Sequence, residues 1–235
     1  MNHSPMLELL AEGGWGEFQP EFDRLAGWQF YPKLLETLEQ LDHSVLFVSK
    51  MHGLGHIERT ILQGGFCAME EGLDRTDTEL LLEACSYHDV GRQNDWVDDL
   101  HGHRSAQQIG ALTGRTGEEL KLLQGAVDAH SRKDKVLLET IQSYGPALQD
   151  RAVRLAQLLK DADGLDRVRI GDLNPAYLRR ESSRKRVGLA REVFCRYQCR
   201  IGLEPKPFFS EEIIAEIRKH GEPQGAPPSG EDTNG

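Results

Sequence analysis

Six of the nine histidines fall between His52 and His130, in short strings that also carry carboxylates. The strings are His52-Gly-Leu-Gly-His56-Ile-Glu-Arg59, Tyr87-His88-Asp89-Val-Gly-Arg92, His101-Gly-His103-Arg104-Ser-Ala106 and Val127-Asp-Ala-His130-Ser131. A fifth, Lys160-Asp161-Ala-Asp163-Gly-Leu-Asp166-Arg167, adds acid without histidine. Imidazole and carboxylate together suit borderline divalent ions such as Zn, Mn, Fe, Co and Ni. These groups therefore point to a metal site assembled from several segments.

Each string alone says less. His52 and His56 are four apart and share a face if helical, with Arg59 three further on. Gly53 and Gly55 make this stretch a loop-to-helix junction, and by itself it fits two solvated histidines. His88-Asp89 closes a strongly apolar segment and offers a nitrogen and an oxygen ligand side by side, with a carboxylate able to bridge two ions. Asp161 and Asp163 follow Leu155, Leu158 and Leu159, so carboxylates lie at the inward end of another apolar helix. An unpaired buried carboxylate is costly. Ion pairs with Lys160 and Arg167 are one remedy and a metal is the other, and for Asp161 both stay open.

The elements that must position these groups read as helices. Leu34, Leu35, Leu38, Leu41 and Val45 recur at helical spacing from Pro32 onward. Thr76-Asp-Thr-Glu79 and Thr116-Gly-Glu-Glu119 are capping boxes that precede the runs ending at His88 and Val127, with Gly91 and Gly114 as stops. Further helices are expected over 152–160, 183–200 and from Ser210 to His220. Alternating strand patterns are absent, so the expected class is all-α, a single-domain helical bundle. Residues 1–30 read as an irregular lead-in that lays Trp15, Phe18, Phe22, Trp28 and Phe30 on the domain. Residues 31–220 form the helical domain, and 221–235, rich in Pro and Gly, read as a disordered tail.

Composition bounds the partners. With 38 acidic and 28 basic side chains the net charge is −10, which argues against a nucleic-acid polymer. It leaves room for a small phosphorylated molecule, because bound cations invert the local potential. Cys67, Cys85, Cys195 and Cys199 show no C-x-x-C spacing and read as reduced. No signal sequence and no apolar run of membrane length are expected, so the expected location is cytoplasmic. Phosphate-loop, serine-elbow and H-E-x-x-H motifs are missing.

The ordered series His56, His88-Asp89, Asp163 resembles the HD superfamily of metal-dependent phosphohydrolases, and the likeness covers roughly residues 45–180. His56-x-x-Arg59, His88-Asp89-x-Gly91-Arg92 and Ala162-Asp163-x-Leu165-Asp166 resemble its extended motifs. Asn94-Asp95, His101-Gly-x-x-Ser-Ala106 and Asp166-Arg167-Val-Arg169 resemble a branch of small stand-alone HD domains. The resemblance implies an HD-type helical bundle in which His56, His88, Asp89 and Asp163 hold a divalent ion (Mn, Fe, Co, Ni, Zn or Mg), with Asp163 preferred to Asp161. It further implies a possible second ion on His101 and His130, with phosphate binding or simple hydrogen bonding as the other reading of His101. His103, two residues on, is left outside.

The implied activity is hydrolysis of a small phosphorylated molecule, with a nucleotide the first candidate, by metal-bound hydroxide attacking phosphorus. Asp89 belongs to the catalytic set. Arg92 and Lys160 lead the basic residues that could steady the phosphoryl group, ahead of Arg59, Arg104, Arg167 and Arg179. The basic run 179–186 reads as a solvated helix face, or as a patch that draws anionic substrates toward the site. Two other functions use the same ligands: a diiron oxygenase of the HD type, and a regulatory module that binds a nucleotide without turnover. Substrate identity, the choice of metal and oligomeric state lie beyond the sequence.

Overall fold

The computed structural model describes residues 3–210 and Ile214. Among them every regular element is helical. The α-helices are α1 (Pro5–Glu12), α2 (Gln19–Ala26), α3 (Tyr31–Glu39), α4 (Leu54–Glu70), α5 (Arg75–Tyr87), α6 (His101–Thr113), α7 (Gly117–His130), α8 (Leu137–Ser143), α9 (Gln149–Leu165), α10 (Glu181–Arg184) and α11 (Val187–Arg200). They form one domain around one main core.

Helices α4, α5, α7 and α9 pack against one another at the centre, and α6 lies on α7. Helix α4 is buried continuously from His56 to Ala68, apolar and polar positions alike. A helix buried all round has no solvent to satisfy its polar side chains, so each must find a partner inside. His56 and Arg59 find a common partner in Asp166.

Several expected boundaries shift. The lead-in 1–30 is helical rather than irregular: Ser4 caps α1 through its hydroxyl, and Pro5 and Pro20 stand where the first helical turn needs no N–H. Its expected role holds, since Trp15 stacks on Phe22 at 3.8 Å and Phe22 meets Phe66 edge-on. Helix α3 stops at Glu39, so Val45 belongs to a separate 3-10 turn. Asp74, not Thr76, caps α5, because its carboxylate accepts from the Asp77 N–H. Gly114 does end α6 in the left-handed conformation.

Helix α9 runs on to Leu165, beyond the expected end at 160, and so carries Asp161 and Asp163 on its last turns. The helix expected over 183–200 is broken into α10 and α11. The 179–186 run is not simply a solvated face. Arg179 pairs with Asp134 and Asp161, and Arg186 is buried with its guanidinium on the Phe66 carbonyl. The helix expected over Ser210–His220, apart from Ser210 and Ile214, and the tail 221–235 lie outside the described residues. All four cysteines are free thiols. Among the described residues no helix is long and apolar enough to cross a membrane.

Candidate metal centre

Four histidines converge from four chain segments. His56 lies in the first turn of α4, His88 just past the end of α5, His101 opens α6 and His130 closes α7. Asp89 follows His88, and Asp163 comes from the last turn of α9. His56 and His88 are fully buried, and His101, His130 and Asp89 nearly so.

Close backbone approach makes this convergence possible. A Cβ on Gly91 would stand 2.5 Å from the His101 carbonyl and 2.5 Å from the Ser105 N–H nitrogen. A Cβ on Gly102 would stand 2.8 Å from the Val127 carbonyl oxygen. Glycine at these two positions lets the turn after α5, the start of α6 and the end of α7 meet. Ser105 locks the junction by donating to the His101 carbonyl and accepting from the Gly91 N–H.

Each ring is oriented by the hydrogen bond at its Nδ1. His88 Nδ1 lies 3.0 Å from the Cys85 carbonyl, His101 Nδ1 2.5 Å from the Asp98 carbonyl and His130 Nδ1 2.5 Å from the Val127 carbonyl. A carbonyl can only accept, so in all three Nδ1 carries the proton and Nε2 presents a lone pair. His56 Nδ1 lies 2.8 Å from an Asp166 carboxylate oxygen, which fixes it in the same sense.

All four Nε2 atoms then face inward. His56 Nε2 is 3.1 Å from His88 Nε2, and His101 Nε2 is 2.9 Å from His130 Nε2. Burial, assisted by Arg169, holds the His56 pKa well below 6.5, and burial pushes His130 down to about 4. With the proton on Nδ1 in a neutral imidazole, the two Nε2 atoms of each couple present lone pair to lone pair. A cation between them removes that repulsion.

Asp89 stands between the two pairs. Its Oδ2 is 3.6 Å from His56 Nε2 and 3.8 Å from His88 Nε2, while its Oδ1 is 3.1 Å from His101 Nε2 and 3.7 Å from His130 Nε2. Oδ1 is buried without a hydrogen bond, which is costly for a carboxylate oxygen. Asp163 Oδ1 lies 3.4 Å from His56 Nε2. Ligand atoms that share one ion at about 2.0–2.1 Å stand about 3.0–3.4 Å apart, close to these spacings. His56, His88 and Asp163 form one group able to hold a metal ion, and His88, Asp89 and His130 form another. The donor set fits a divalent cation.

The other expected residues fall variously. Asp161 is turned away: its carboxylate accepts the Arg179 and Arg180 N–H groups, which resolves the alternatives the sequence left for it. His103 pairs with Asp128 at 2.9 Å and stays outside. Arg92 is close, donating Nε to Asp89 Oδ2 at 2.9 Å. Lys160 lines the adjoining cavity, but its ammonium is directed at the Ala129 and Arg132 carbonyls and at Asp134 Oδ1. Arg104 serves the loop, with Gly91 and Asp98 as its partners, and Arg167 pairs with Asp172.

Sequence reasoning gave the supporting residues Asp166 and Asp95 no role of their own. Asp166 holds His56 and takes both Nε and Nη2 of Arg59, at 2.6 and 3.0 Å. Arg59 is in turn flanked by the Phe194 and Tyr197 rings of α11. Asp166 is one helical turn past Asp163, and that spacing is the signal that could have found it. Asp95 accepts from His52 Nδ1 and from Ser49 Oγ, holding His52 against the His56 ring. Nothing in the local sequence indicates that pairing, because it joins two loops 43 residues apart.

A cavity of about 450 Å³ opens beside the centre. His130 and Asp163 line it, as do Lys133, Arg167, Tyr177 and Leu178. The fold and site thus define an all-helical protein with a buried His/Asp cluster able to hold metal. No family model, curated protein or solved structure matches the chain.

Proposed function

We propose that the chain belongs to the HD superfamily and is a divalent-metal-dependent phosphohydrolase of small molecules, with a nucleotide the first substrate to test. The observation that carries the reading is the pair of inward-facing Nε2 couples on either side of Asp89. Support also comes from the order in the chain: the series His56, His88-Asp89, Asp163 that resembles the superfamily's ligand set is the series that meets in space.

His56, His88, Asp89 and Asp163 would hold one ion, and His101 and His130 a second, with Asp89 shared. Bound there, a divalent ion supplies Lewis acidity toward a phosphoryl oxygen and lowers the pKa of water. The chain's own groups do the rest. The Asp166–His56 and carbonyl–histidine bonds fix the tautomer and keep the imidazoles aimed. Arg92 holds Asp89. Cations on the cavity wall, Lys133 and Arg167 among them, draw phosphate oxygens toward Asp163 and His130. The burial of four histidines excludes bulk water from the ligand side.

The test is release of phosphate or pyrophosphate from a panel of nucleotides and sugar phosphates, with Mn²⁺, Mg²⁺, Co²⁺, Ni²⁺ or EDTA, and with Asp89→Ala alongside. Metal-dependent turnover that vanishes in the variant is expected. Silence with every metal would overturn the reading. Two equivalents of iron with O₂ uptake would replace it by oxygenase chemistry, which the same six ligands permit.

A further inference from the structure

Arg169 is an unusual cation. Its side chain is nearly fully buried, it sits one helical turn past Asp166, and it belongs to none of the charge pairs at the protein surface. Its Nε donates to the Met51 carbonyl at 2.8 Å, which ties it to the loop that carries His52. Its Nη1 is buried and makes no hydrogen bond among the described residues. That atom stands 3.5 Å from Asp166 Oδ2 and 3.9 Å from Asp163 Oδ1, so it is aimed at the edge of the metal centre.

The neighbouring cations make hydrogen bonds to protein groups. Arg59 spends Nε and Nη2 on Asp166, Arg92 spends Nε on Asp89, and Lys160 spends its ammonium on two carbonyls and Asp134. A buried guanidinium N–H without an acceptor is costly, and the cost is recovered when an anionic oxygen arrives. Asp163 links the two environments: it lines the cavity, and its Oδ1 lies 3.9 Å from Nη1. Arg169 does not itself line the cavity, so an oxyanion reaches the buried Nη1 by passing Asp163 into the centre.

We propose that Arg169 is the residue that grips an oxyanion of the bound phosphate at the first metal position, through Nη1. The inference rests on the phosphohydrolase reading above and adds to it the anion-holding group. Arg92 then acts through Asp89 as a positioning residue, and Lys160 shapes the turn after α7.

The experiment is calorimetric titration of inorganic phosphate into Mn²⁺-loaded protein, with metal content measured on the same samples, for wild type, Arg169→Lys and Arg169→Met. Wild type is expected to bind phosphate only when metal-loaded. Both variants are expected to keep their metal and to bind phosphate at least about tenfold more weakly. Lysine keeps the positive charge but cannot serve the Met51 carbonyl and the anion together, so charge alone does not rescue binding. A metal-loaded variant that binds phosphate as wild type does would overturn the inference and leave the phosphohydrolase reading standing. Variants that lose metal, yet bind phosphate normally once excess Mn²⁺ restores it, would reduce Arg169 to a clamp on Asp163 and Asp166, which also overturns it. Wild type that ignores phosphate with every metal would bring down the reading and the inference together. Should neither variant fold, a crystal structure of wild type with Mn²⁺ and phosphate decides: Nη1 within hydrogen-bond distance of a phosphate oxygen supports the assignment, and any other placement contradicts it.

Discussion

At the scale of residues, the centre depends on histidines kept neutral and carboxylates kept charged. His52 and His130 are both pushed down to about 4, each mainly by burial. Their folded pKa values lie below the unfolded value of 6.5, so their contribution is complete above that pH and is lost as pH falls from 6.5 through 4. Metal-free protein in EDTA should therefore lose stability in urea melts across that window. Each tenfold drop in a histidine's proton affinity on folding is worth about 1.4 kcal/mol. A melt unchanged between pH 7 and 4.5 would contradict the assignment. The Asp166→Asn variant should bind metal about 10–100-fold more weakly, because it weakens the acceptor at His56 Nδ1. It should also destabilise the fold, since Arg59 and Arg169 remain buried beside it without the full charge. Equilibrium metal competition separates the two effects.

Much of this residue set could be read from the sequence, and the reason is chemical. The His and Asp strings mark the segments, the resemblance to the HD superfamily implies His56, His88, Asp89 and Asp163 with a possible second pair at His101 and His130, and all six side chains meet in one place. Asp166 and Arg169 were visible only as part of a motif, because their work depends on a buried contact with α4 and its preceding loop. Arg92 and Lys160 look equally suited to phosphate in the sequence. Only their hydrogen bonds show that one serves Asp89 and the other a turn.

At the scale of elements, the two halves of the centre are joined by close packing at the start of α6. Replacing Gly102 with Ala puts a methyl 2.6 Å from Ser131 Oγ and 2.8 Å from the Val127 carbonyl oxygen, and the backbone there cannot yield cheaply. The α6 start should move off α7 and part His101 from His130. The expected outcome for Gly102→Ala is a protein that retains one ion and loses the other, read by elemental analysis after dialysis. Full retention of both would show that α6 does not set the second position. The helical character of these elements followed from apolar periodicity, but their ends did not. Helix α9 runs past 160, where Asp161 accepts backbone N–H groups of Arg179 and Arg180, a tertiary contact that spacing along one helix cannot report.

At the scale of the whole molecule, the centre draws on α4, α6, α7 and α9 and on the turn after α5. Ions bound there would stabilise the folded chain and not the unfolded one. Saturation at 100 times the dissociation constant is worth about 2.7 kcal/mol per site. Addition of Mn²⁺ to EDTA-treated protein should raise the melting temperature, whereas Asp89→Ala should show little response to metal. Calorimetric melts of the two proteins check this.

In the reading proposed above, this core would hold two divalent ions with Asp89 shared between them. Anomalous diffraction from crystals grown with Mn²⁺ tests it most directly. Two peaks, one among His56, His88 and Asp163 and one at His101 and His130, with Asp89 between them, are predicted. Crystals with full Mn²⁺ present but no peak at these six side chains would contradict the account.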